Sequence, residues 1–147
     1  MFIVLESGVL NRPQGAPEMA EQQMAWLKET LARANAKKCR HTFVFKHYPM
    51  CLKSVDEPDQ YFNVPGTRRK ELLELFHRHN VTAVFSGHHH RNHRVKDGQL
   101  ELITTASSGK PLGSDPIGLR IVKVFGGRIE HKYYGFEQLP ERVELSS

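Results

Sequence analysis

Three short apolar runs, at residues 2–5, 42–45 and 81–85, are separated by two stretches whose apolar residues recur at helical spacing. A run that is apolar at nearly every position reads as a strand buried on both faces, the kind found in parallel sheets covered by helices. The first intervening stretch, about 18–36, lines up Ala20, Met24, Leu27, Leu31 and Ala34 on one face. The second, which Thr67 is placed to cap, runs to about Asn80 and offers Leu72, Leu73, Leu75 and Phe76. Strand, helix, strand, helix, strand is the order of a parallel sheet. Beyond Asp97-Gly98 the pattern turns to strands alone, at about 100–106, 119–125 and 128–134, with Gly126-Gly127 as a hairpin turn. The fold class is therefore α/β with a mixed sheet.

Composition narrows the class further. A chain of 147 residues with 39% hydrophobic and 25% charged side chains suits one folded domain, not a disordered tail. The net charge of +5 is mild and suits an anionic ligand such as phosphate. Only Cys39 and Cys51 are present, which excludes a disulfide framework and a zinc knuckle and points to a reducing compartment. The apolar start meets Glu6 at once, without the basic flank of a signal peptide, and no segment is long enough to cross a bilayer. A cytoplasmic protein without a membrane partner is expected. Nucleic acid is not expected either, because the aromatic residues fall in core-like runs instead of alternating with basic ones.

Chemistry concentrates in the histidines, nine in all and three of them consecutive in Gly87-His88-His89-His90. If the backbone stays extended past the third strand, His88 and His90 point one way and His89 the other, and Gly87 allows a sharp exit and a close ligand approach. His47 follows the second strand, and parallel strands bring their C-terminal ends to one edge. Three imidazoles can then converge on a metal ion; the same run also fits a solvated loop. Arg91, His93, Arg94 and Lys96 form a basic patch beside it, and Asp56, Glu57 and Asp59 lie in a long polar loop. Arg68-Arg69-Lys70 reads as a solvent face, and Ser107-Ser108-Gly109 as a strand end near the site.

The Gly-His-x-His sequence at 87–90, the lone His47 after an earlier strand and the helix between them resemble the C-terminal half of the calcineurin-like metallophosphoesterases. Closer similarity to the family's serine/threonine phosphatases lies in Phe45-Lys46-His47-Tyr48-Pro49, Lys53-Ser54-Val55-Asp56-Glu57, Tyr61-Phe62-Asn63 and Asp115-Pro116-Ile117-Gly118-Leu119-Arg120. The resemblance covers residues 1–139, leaving 140–147 as a tail. It implies half of a two-layered, four-layer α/β/β/α sandwich with two divalent metal ions, Zn, Fe or Mn, that hydrolyses phosphomonoesters such as phosphoserine or phosphothreonine in proteins. It assigns His47 and His88 to one metal and His90 to the other.

The resemblance also exposes what is missing. The family's D-x-H, G-D-x-x-D and G-N-H-D/E motifs have no counterpart, since none of the four aspartates has His two positions on or Gly before it. Asn92-His93 is flanked by arginines and follows the metal motif instead of preceding it. The chain is therefore expected to hold at most one metal well, and to act on a phosphorylated substrate only when complete. The competing reading is a truncated, catalytically incompetent product with a residual histidine site and a protein-binding role.

Overall fold

The computed structural model describes residues 1–145. A five-stranded sheet runs in the order β1-β2-β3-β5-β4, with β1 (Phe2–Val4), β2 (Phe43–Phe45), β3 (Ala83–Ser86), β4 (His93–Asp97) and β5 (Leu100–Thr104). The first four strands in that order run parallel; β4 returns antiparallel along the far edge. A separate antiparallel hairpin joins β6 (Gly118–Val124) to β7 (Ile129–Gly135). The helices are α1 (Ser7–Asn11), α2 (Pro17–Ala36) and α3 (Gly66–Arg78).

Alternation along the strands divides the side chains between two cores. Ile3, Val44, Val84 and Leu102 meet Leu10, Leu27, Leu31, Leu72 and Phe76 from the helices on one face. On the other, Phe43, Phe85, Ala83 and Ile103 receive Val122 and Ile129 of the hairpin. The result is an α/β/β layering, a mixed sheet of the kind expected. Phe2 and Val4, on the hairpin side of the edge strand, remain 70% and 72% exposed.

Both long helices end in the same way. Lys38 and Asn80 take left-handed φ of 52° and 51° just past the helix ends. Cys39 N–H then donates to Ala34 O at 3.0 Å and Val81 N–H to Phe76 O at 2.9 Å, closing each last turn and launching the next segment toward the sheet. Asn80 thus ends α3 as expected, but Thr67 does not cap it. The helix begins a residue earlier, and the Asp59 carboxylate accepts from Gly66 N–H at 2.6 Å. Strand β4 was not anticipated, and no regular element follows Gln138 among the described residues. The last two positions of the expected 140–147 tail lie outside them.

At the start of β6, Gly118 pairs with Gly135, and a Cβ on Gly118 would lie 1.9 Å from Tyr134 O. Gly87, by contrast, has open space around its Cβ position and no left-handed φ. Gly118→Ala is expected to lower unfolding free energy by about 1–3 kcal/mol, the usual range for forced overpacking, and Gly87→Ala by much less. Urea unfolding of the two variants side by side checks this; equal stabilities would count against the contact.

Candidate metal centre

Parallel pairing of β2 with β3 sets Phe45 beside Phe85. The ladder continues past both strands, with Lys46 N–H on Phe85 O and Gly87 N–H on His47 O, each at 3.0 Å. His47 and His88 therefore emerge side by side. His88 Nδ1 lies 3.1 Å from His47 Nε2, the rings 4.8 Å apart and steeply inclined. Tyr48, Tyr61 and Phe62 surround the His88 ring at centroid distances of 4.0, 5.4 and 5.5 Å. Burial, reinforced by neighbouring His47 and His90, pushes the His88 pKa below its ordinary value.

The backbone here is not extended. His88 and His90 take left-handed φ of 59° and 54°, and His89 N–H folds back onto Gly87 O. His89 does turn away, as expected: it is buried, with its Nδ1 2.5 Å from His93 Nε2. His90 goes its own way. Its Nδ1 donates to Lys110 O at 2.7 Å, and that carbonyl is delivered by a loop in which Ser107 Oγ accepts from Gly109 and Lys110 N–H. Arg91, one residue on, is exposed and donates to Leu112 O.

The donor set fits a metal in two respects. With metal–nitrogen bonds of about 2.0–2.1 Å, two adjacent donors on one ion stand roughly 3 Å apart, which matches the His47–His88 nitrogens. A metal-binding imidazole commonly donates its other N–H to a carbonyl, as His90 does, leaving Nε2 as the free lone pair. His88 Nε2 is buried without a hydrogen-bond partner. Among the described residues, however, no three His, Cys, Asp or Glu side chains converge into a metal-holding group. Two imidazoles come together, and no carboxylate joins them.

The floor and wall of the site come from the 46–66 loop. Lys46 is buried and donates to Tyr48 O, and burial lowers its pKa to about 7. Burial together with the Glu57 charge pushes the Cys51 thiol up to about 12. Glu57 itself is the loop's organiser, not a hydrated side chain: it accepts from Leu52 and Lys53 N–H at 2.9 and 2.7 Å and from the Asn63 amide at 2.6 Å. Arg69, expected to face solvent, is 3% exposed and donates to Glu57 O and Met50 O. Asn92 likewise has a structural task. It bonds both Asp115, at 2.9 Å, and Arg120, at 2.6 Å, tying the five-stranded sheet to the hairpin.

No family model matches the chain. It is 40% identical over 142 residues to the serine/threonine-protein phosphatase CPPED1 of Rattus norvegicus, covering 97% of this chain and 46% of that protein. Against the CPPED1 of Homo sapiens the identity is 39% over 143 residues, again 97% of this chain and 46% of the relative. The chain thus spans about half the length of the curated relatives it matches. Among solved structures, GAP50, the anchor in the inner membrane complex of Plasmodium, superposes with a TM-score of 0.71 at 20% identity, over 91% of this chain and 44% of that one. At that identity the likeness concerns the fold. No helix among the described residues is long and apolar enough to cross a membrane.

Glu57 generates a pH dependence. Burial opposes its charge, but the Asn63 amide and the N–H groups of Leu52, Lys53 and Ser54 outweigh it and hold the pKa at about 2, against an ordinary 4.5. A depressed folded-state pKa contributes stability above the ordinary value and loses it as pH falls toward the folded one. Glu57→Gln is expected to be less stable than wild type by about 1–3 kcal/mol at neutral pH. The gap should close between pH 4.5 and about 2. Unfolding curves across that window check it, and a constant gap would refute the role given to the carboxylate.

Proposed function

We propose that this chain, a homologue over 97% of its length of serine/threonine phosphatases with a calcineurin-like phosphoesterase domain, forms the histidine side of a dimetal phosphoesterase centre. The observation that carries the reading is the pair of imidazole nitrogens 3.1 Å apart where two adjacent parallel strands end. His47 and His88 are the ligands of one metal and His90 of the second. The substrate class is a phosphomonoester, with phosphoserine or phosphothreonine in proteins as the form that the relatives' names suggest. Residues 1–139 constitute the phosphoesterase part.

Divalent ions held by His47, His88 and His90 would supply Lewis acidity, a nucleophile at neutral pH and neutralisation of phosphoryl oxygens. The chain's own residues do the rest. The Lys110 carbonyl holds the proton of His90 on Nδ1 and so presents Nε2. Tyr61 and Phe62 keep water from one side of the His88 ring. Carboxylates must come from elsewhere, because two close cations repel without a bridging anion. The acidic motifs that this sequence lacks are the source, and full hydrolysis requires them.

Two experiments test this reading. In calorimetric titration with Zn or Mn, wild type is expected to bind one ion, and His88→Ala to lose that binding; equal binding would remove the site. His89→Ala should leave affinity within a few-fold while lowering stability by about 1–3 kcal/mol, because His93 loses a buried partner. In the second experiment, adding a polypeptide that carries the D-x-H, G-D-x-x-D and G-N-H-D/E motifs should raise aryl phosphate hydrolysis, with the gain abolished by His88→Ala or His90→Ala. A gain indifferent to both substitutions would place the chemistry elsewhere.

A further inference from the structure

The edge strand β1 reaches the same end of the sheet as β2, and its ladder runs on to Leu5, whose N–H donates to Phe45 O at 2.8 Å. Two residues later α1 begins with Ser7, 2% exposed. The Ser7 hydroxyl oxygen accepts from two successive backbone donors, His47 N–H at 2.7 Å and Tyr48 N–H at 3.2 Å. Those two residues supply one imidazole of the pair and the ring closest to the other.

Ser7 is itself held firmly. The Glu6 carboxylate accepts from Gly8 and Val9 N–H at 2.8 and 2.7 Å, fixing the first turn of α1. The Glu6 backbone is clamped in turn by the Gln23 amide of α2, which accepts from Glu6 N–H at 2.7 Å and donates to Glu6 O at 2.9 Å. Hydrogen bonds thus anchor Glu6 to α2, and Ser7, its covalent neighbour, is bonded in turn to the backbone that carries His47. The Lys46 ammonium spans His47 in sequence to donate to Tyr48 O.

We infer that Ser7 is a positioning residue for His47, fixing the direction in which its imidazole meets His88. A short neutral side chain with a single acceptor oxygen suits the task. Alanine would take the shared acceptor away from the His47 and Tyr48 N–H groups. The consequence for metal rests on the ligand role proposed for His47; the consequence for ring geometry does not.

The test reads both in the 147-residue chain. In metal-free protein, magnetic resonance is expected to show ring-to-ring contact between His47 and His88 in wild type. In Ser7→Ala that contact should disappear while the His89–His93 contact, reporting an intact fold, persists. Titration with Co²⁺, followed by its visible absorption, should show affinity lower in Ser7→Ala by about 10–100-fold, the usual loss when a group that orients a ligand is removed. Retention of the contact in Ser7→Ala overturns the inference, whatever the affinity; loss of the contact with affinity unchanged leaves the positioning role and removes the ligand role of His47. If wild type binds no Co²⁺ yet Ser7→Ala loses the contact, positioning stands and the metal reading falls. Should Ser7→Ala not fold, Ser7→Cys keeps the side-chain volume with a weaker acceptor, and an unaltered contact there overturns the inference equally.

Discussion

Everything at the site depends on the in-register parallel pairing of β1, β2 and β3. Because Val4, Phe45 and Phe85 stand side by side, the residues just past each strand reach one edge together. Ser7, His47 and His88 are the outcome, drawn from segments some forty residues apart in sequence. What keeps that register is burial on both faces. Slippage by one residue would turn Val44 and Val84 toward the hairpin and Phe43 and Phe85 toward the helices, breaking both cores at once.

The site departs from regular structure where the chemistry begins. Two histidines in left-handed conformation within three residues cost about 1–2 kcal/mol each. Such conformations persist where surroundings determine them fully. Around His88 the surroundings are Tyr48, Tyr61 and Phe62; around His90 they are the Lys110 carbonyl and the Leu112 N–H donated to His90 O. An extended exit from β3 would have sent both rings to one side. The actual exit aims them separately, one at His47 and one at the 107–112 loop.

Much of the scaffold could be read from the chain, because strands buried on two faces and helices buried on one leave unmistakable apolar patterns. Val44, Val84 and Leu27 announce themselves. Strand β4 does not, since Val95 is the one apolar residue of His93–Asp97, an edge strand held by cross-strand pairs such as Arg94 with Glu101. His47 could be singled out from its position after a strand. The aromatic cage could not, because Tyr61 and Phe62 reach His88 only once Glu57 and Asn63 have folded their loop. Ser7 carries no local signal at all: its partners lie forty positions away. Arg69 misleads for the same reason, sitting in a basic run yet buried by the loop that packs over α3.

The buried thiol of Cys51 has a bearing on how the 46–66 loop meets oxidants. A cysteine competes for metal as its thiolate, and the thiolate is also the form that peroxides and disulfides attack. Held near 12, Cys51 remains a protonated, apolar filler beneath the loop. Burial and protonation together leave that sulfur a poor target for peroxides and disulfides.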